Sequence, residues 1–335
     1  MSDLEPISPG EAVRMYLNHR EPELSEKSHQ NHRYRLDSFV EFCAEEQIDN
    51  LNDLTGRDLH RFRVWRLDDG VSKVTLRGQL ATLRVFLEFA AAIDAVEPGM
   101  RERVMMPDLE NAEEARDEQL DESRAEAILE YLDRFEYASR NHVIMGILWH
   151  TGIRLGSLRA FDVDDFDTDA RCLDLRHRPD TGTPLKNGEA AERSIAIGDY
   201  YMEVIQDYIR HHRRDVTDNY GRDPLITSRE GRYSDTSVRE SVYRLTRPCM
   251  ITECPHDRDP ETCEAMSYKK ASECPSSRSP HALRRGSITK HLRGGIPEEI
   301  VSDRMNVSGD VLDKHYDQRT DREKMQIRRE FLEEA

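Results

Sequence analysis

Lysine is scarce in this chain of 335 residues, where 8 lysines stand against 41 arginines. Long apolar runs are missing as well. No stretch approaches the ~20 residues that cross a bilayer, and the opening Met-Ser-Asp-Leu-Glu-Pro has neither a basic nor an apolar signal region, so a cytoplasmic protein is expected. The patterns GxxxxGK[ST], GxGxxG and HExxH are absent, which removes nucleotide-driven chemistry and the usual zinc hydrolases from consideration. Cysteine is limited to six residues, and in a reducing compartment these are not expected to form a disulfide framework.

Positive charge is short too. Acidic side chains number 66 against 49 basic ones, for a net charge of −17, which at first argues against a polyanionic partner. Its distribution weakens that objection. Residues 1–107 carry a net −5, residues 108–136 a net −9 and residues 137–335 a net −3, so more than half of the excess sits on a stretch of 29 residues after Pro107. Many carboxylates with few lysines suit a protein kept soluble in concentrated salt, as in a halophilic archaeon.

Length and an apolar content of 37 % predict two domains. Ser8-Pro9-Gly10-Glu11 reads as a capped helix start with proline at its first position. Leu36, Phe39, Val40 and Cys43 mark a second helix, Thr55 to Asp58 caps a third, and Leu76, Leu80, Leu83 and Leu87 stripe a fourth. Lys73, Arg77 and Arg84 lie off that stripe, where they form either a solvated face or a phosphate-binding one. Beyond the acidic linker, helices are expected near Ile128–Phe135 and Asn141–His150. Short strands follow at Arg171–Arg176 and Glu192–Ile197, with Asn187-Gly188 between them as a tight hairpin turn. Helical patterns resume over 199–214, 236–246, 281–293, 297–305 and 309–316.

Five residues carry the chemical signal. Arg154 follows a glycine turn in Thr151-Gly-Ile-Arg154, Lys186 precedes the expected hairpin turn, and His281-Ala-Leu-Arg284 puts two polar groups at i and i+3 on one helix face. Tyr316 stands 32 residues after Arg284, in Asp313-Lys-His-Tyr-Asp317. In this order the set resembles the tyrosine recombinase (phage integrase) family, including its XerC/XerD-like members. The resemblance implies a mainly α fold: an N-terminal helical, SAM-like core-binding domain over 1–100 that clamps DNA, an acidic linker over 101–119, and a tyrosine recombinase catalytic domain over 120–335. That second domain is mixed α/β, mostly helical, with a small antiparallel sheet.

It also implies site-specific cutting and rejoining of double-stranded DNA through a 3′-phosphotyrosyl ester on Tyr316. No ATP, catalytic metal or other cofactor is required, and four protomers act on two duplexes. Arg154 and Arg284 would neutralise the phosphoryl oxygens. Lys186 would protonate the departing 5′ oxygen, and His281 would assist.

Two departures stand out. The family's second histidine, nine residues before the tyrosine, is here Val307, which leaves open Lys290, His291 or another group as a substitute, and leaves open a catalytically impaired DNA-binding regulator. A nicking–closing topoisomerase is a further alternative. Directly before the HxxR helix lies a cysteine-rich insertion, 249–277, in which Cys254, His256, Cys263 and Cys274 could hold a structural zinc, with Cys249 as an alternative ligand.

Overall fold

The structure is a computed structural model that describes residues 4–108 and 118–315, together with isolated positions after them. Its chain divides into two compact units, Met1–Asp117 and Glu118–Ala335.

Among the described residues, the first unit holds four α-helices: α1 (Pro9–Arg20), α2 (Glu26–Glu45), α3 (Gly56–Asp68) and α4 (Lys73–Ala92). Their starts are written in local chemistry. Ser8, Ser25 and Ser72 each accept a hydrogen bond from the backbone N–H three residues on, and the Thr55 N–H donates to Asp58 at 2.8 Å, which satisfies donors that the first helical turn leaves without partners. Tyr16, Phe39, Phe62 and Phe86 meet in the core with largely edge-on ring contacts. The leucine stripe of α4 is buried as expected, and Lys73 and Arg77 are exposed on the other side while Arg84 is half-buried.

The second unit places α6 (Arg140–Thr151) at its centre. Residues 142–149 of this helix are all buried, a pattern that only a helix surrounded by other elements tolerates. Packed against it are α5 (Glu122–Phe135), α8 (Asp199–Asp207), α9 (Asp235–Leu245) and α10 (Pro280–Arg293). Gly286 of α10 meets the chain at Leu120 so closely that an added Cβ would stand 2.0 Å from the Leu120 carbonyl oxygen, so only glycine fits there. Short α7 (Leu155–Ala160) follows α6, and α11 (Glu298–Met305) and α12 (Gly309–His315) complete the described helices.

Three strands, β1 (Phe166–Asp167), β2 (Cys172–Leu175) and β3 (Arg193–Ala196), form an antiparallel sheet in sequential order. Cys172 faces Ala196 and Leu175 faces Arg193. The expected strands are therefore present, but the tight hairpin is not. Residues 176–192 make a long connection between β2 and β3, and Asn187-Gly188 instead opens a single 3₁₀ turn, Gly188–Ala191. A two-residue hairpin turn needs positive φ at its first position, and in type I′ at both, whereas Asn187 has φ −108° and only Gly188 has φ +61°.

A network of charges ties the root of this connection to the domain. Arg178 grips Asp165 with both terminal nitrogens, at 2.8 and 2.6 Å. Arg222 reaches the hydroxyls of Thr181 and Thr183 and the carboxylate of Asp162, and Arg232 bridges Asp162 and Asp218. Asp162 is 8 % exposed and answers Arg222 and Arg232 at 2.6 and 2.5 Å. Removing one member of such a buried set strands the remaining charges, at a cost of about 3–5 kcal/mol. Asp162→Ala is therefore expected to lower unfolding stability by roughly that amount in denaturant titration, while Asp174→Ala, half-buried on β2 and paired with the exposed Arg176, changes it by less than about 1 kcal/mol.

Candidate functional site

The site is organised by the C-terminal end of α11. Arg304, Met305 and Asn306 end the helix, and their carbonyls have no helical N–H to accept from. Three arginines from distant parts of the chain fill them. The Arg193 Nε donates to the Arg304 carbonyl at 2.8 Å, Arg284 Nη2 to that of Met305 at 2.9 Å and Arg154 Nη1 to that of Asn306 at 2.9 Å. The negative end of the helix dipole favours cations at the same place. Asn306 itself adopts the left-handed conformation, φ 50° and ψ 64°, which asparagine tolerates better than most residues.

Arg154 is the N-cap of α7 and half-buried. Arg284, on α10, is only 2 % exposed, and its Nη1 donates to the Gly152 carbonyl at 2.6 Å. Gly152 closes α6 in the left-handed region at φ +60°, so the glycine turn that precedes Arg154 also supplies an acceptor to Arg284. The two arginines are thereby held in one constellation by backbone oxygens. A guanidinium carries five N–H groups in a rigid plane, so such contacts aim it without exhausting its donors.

Lys186 is exposed in the β2–β3 connection, not at a hairpin tip. Its neighbour Asn187 donates from Nδ2 to Asn306 Oδ1 at 3.0 Å, which brings the lysine-bearing segment to the same helix end. His281 stands at the start of α10. Desolvation first, then the positive charges of Arg284, Arg285, Arg154 and Lys186, hold its pKa below the ordinary histidine value. Those four cations therefore share one electrostatic neighbourhood with the imidazole, which stays neutral at pH 7. Arg193 feels the same crowding: burial and then the Arg154 charge push its pKa down to about 10, still protonated at neutral pH.

Tyr316 lies outside the described residues; α12 is described as far as His315. Val307 is 5 % exposed within a small apolar cluster of Ile288, Leu292, Val301, Met305 and Leu312, so the side chain at the place of the second histidine is a packing residue. Lys290 instead pairs with Glu122 and Glu126 of α5, both at 3.2 Å, and His291 Nδ1 lies 2.7 Å from the Ser287 carbonyl. Arg193, Arg285 and Asn306 belong to the constellation without having been singled out from sequence. Only Arg285 carried a signal, as the immediate neighbour of Arg284.

The zinc set is not assembled. Among the described residues no group of three or more histidine, cysteine, aspartate or glutamate side chains is spaced to hold a metal ion. His256 Nε2 sits 2.9 Å from Ser276 Oγ, and the insertion is a run of short 3₁₀ turns in which Cys274 is buried and Cys254 and Cys263 are half-buried.

The glycine turn gives a direct test of this construction. A Cβ at Gly152 would meet Met305 Sδ at 2.6 Å and require a residue other than glycine at φ +60°, a cost of about 1–2 kcal/mol. Gly152→Ala is expected to lower thermal stability correspondingly and, by shifting the Met305 end of α11, to weaken the Arg154 and Arg284 contacts. The chemical shifts of the two guanidinium Nε–H groups would register that loss, and unchanged shifts would contradict it.

Comparison with known proteins shows the family. The family model described as phage integrase, N-terminal SAM-like domain, matches residues 15–93, and that of the phage integrase family matches residues 118–322. The tyrosine recombinase XerC of Listeria innocua is 23 % identical over 258 residues, covering 72 % of this chain and 81 % of the relative. Among solved structures, the Tn1549 transposon integrase in complex with a circular intermediate DNA superposes with a TM-score of 0.68 at 13 % identity, over 96 % of this chain and 99 % of that one. A lambda integrase dimer bound to a core site gives 0.66 at 14 % identity, over 95 % and 79 %. The chain, with a family model spanning most of its length, belongs to the phage integrase family of tyrosine recombinases.

Proposed function

We propose that this protein is a site-specific DNA recombinase that cuts and rejoins duplex DNA through a phosphotyrosyl ester on Tyr316. The observation that carries the reading is the convergence of Arg154, Arg284 and the Lys186 segment on the last turn of α11, with His281 in the field of the same cations. In the forward step the Tyr316 phenolic oxygen attacks phosphorus. The new P–O bond to tyrosine forms as the bond to the 5′ oxygen breaks, the phenolic proton leaves to solvent, and the 5′ oxygen takes a proton from the Lys186 ammonium. Arg154 and Arg284 neutralise the non-bridging oxygens, whose charge grows in the transition state. His281, neutral among cations, is suited to orient the phosphate or relay a proton. Because the phosphotyrosyl ester conserves the energy of the phosphodiester, the reverse attack by a 5′ hydroxyl rejoins a strand without ATP.

Lys73, Arg77 and Arg84 on α4 are suited to phosphate contacts outside the reacting centre. Assembly into a tetramer on two duplexes is the arrangement this chemistry requires for exchange between partners.

A nicked duplex that traps the covalent intermediate is the decisive substrate. Wild-type protein is expected to form a protease-sensitive DNA adduct that Tyr316→Phe abolishes while retaining DNA binding. Retention without any adduct in the wild type would instead establish a non-catalytic regulator, and relaxation of supercoils without junctions between duplexes would establish a topoisomerase.

The acidic surface has its own consequence. At ~1 M salt the Debye length is about 3 Å, so distant carboxylates scarcely repel DNA. Salt weakens phosphate binding by counterion release in proportion to the phosphates contacted, and a protein of net charge −17 relies on a few close arginine–phosphate contacts. Binding constants measured across a salt series are expected to fall with a shallow slope, and a steep loss toward molar salt would contradict this.

A further inference from the structure

We propose that Asn306 is a positioning residue for proton delivery, acting through its side-chain contact with Asn187 to hold Lys186 beside the arginine pair. The inference rests on the reading of Lys186 as the acid. Lys186 lies between two tethers. On one side Leu185 is 4 % exposed, its N–H donates to His177 Nδ1 at 2.9 Å and its carbonyl accepts from the Gly188 N–H at 3.0 Å. On the other side Asn187 reaches across to Asn306. A lysine on a mobile loop searches a large volume, because its four-carbon stem has many rotamers. Holding the backbone on both sides of it confines that search to the neighbourhood of Arg154.

Asn306 is fitted to this task by two properties that few residues combine. Its backbone must take φ 50° for its carbonyl to accept from Arg154, a conformation that excludes most side chains. Its amide must also present an oxygen toward Asn187. Glycine would satisfy only the first condition and a residue such as glutamine only the second. One residue thus joins the Arg154 contact, made by its backbone, to the Lys186 segment, held by its side chain. The position immediately before the absent second histidine is therefore where this chain couples its acid to its arginines.

Asn306→Gly separates the two roles, since it keeps the left-handed backbone and the carbonyl while removing only the amide. Single-turnover cleavage by the full chain would be followed on two nicked duplexes, one with the ordinary 5′ bridging oxygen at the scissile phosphate and one with sulfur there. A thiolate departs without a proton, so the sulfur substrate relieves any defect in acid catalysis and no other. Asn306→Gly and Asn187→Ala are each expected to slow the oxygen substrate about 10-fold, with the double variant no slower than either single one. All three would cleave the sulfur substrate within about twofold of wild type. Lys186→Ala should show the same rescue from a larger defect, whereas Arg154→Ala should stay slow on both substrates.

If Asn306→Gly matches wild type on oxygen while Lys186→Ala is slow and rescued by sulfur, the positioning role is wrong and the acid assignment stands. Equal defects of Asn306→Gly on both substrates would show a merely structural role. Failure of sulfur to rescue Lys186→Ala would overturn the acid assignment and the inference resting on it.

Discussion

Three consecutive carbonyls at the end of one short helix organise the catalytic unit. A helix terminus leaves its last carbonyls without partners, and in α11 they are answered by Arg193, Arg284 and Arg154. Each arginine comes from a different element, so the same contacts that satisfy the helix end also draw α10, the α6–α7 turn and β3 together. Cations would ordinarily repel one another in such a space. The partial negative charge of the helix C-terminus and the neutral state of His281 reduce that repulsion, and the Asp303 carboxylate adds countercharge beside Arg193.

The rest of the unit serves to bring these donors to one place. The central α6 is buried on all sides and ends in a left-handed glycine, which turns the chain sharply enough for Arg154 to start α7 and for the Gly152 carbonyl to meet Arg284. The close approach at Gly286 sets α10 against the start of the unit. The aspartate–arginine network around Asp162 anchors the root of the β2–β3 connection. Its far end, where Lys186 lies, is held by fewer and more exposed contacts.

Much of this was legible along the chain. Helix starts at Ser8 and Thr55 follow from side chains that cap their own backbone within three residues, and the leucine stripe of α4 follows from helical periodicity. Arg154, Lys186, His281 and Arg284 were recognisable by their order and by the glycine and HxxR settings around them. The hairpin was misread because Asn-Gly is a strong turn signal locally, whereas here the strand register and the Asp162 network demand a longer connection. The zinc set is a related case: clustering of cysteines along a sequence does not by itself bring sulfurs to one coordination sphere, and none is assembled among the described residues.

Composition, capping, periodicity and an ordered set of reactive residues determine by themselves that this is a two-part, mainly helical chain equipped for chemistry at a phosphate. Apart from the order of the reactive residues, each of those signals depends only on neighbours a few residues away. What the tertiary structure alone decided is how the set is held: that Arg284 is aimed by the carbonyls of Gly152 and Met305, that Val307 is a core residue, and that Asn306 ties Asn187 to the helix end. Those facts concern backbone oxygens and contacts across more than a hundred residues. Every residue carries the same carbonyl, so no pattern of side chains announces which one will be left open when a helix ends.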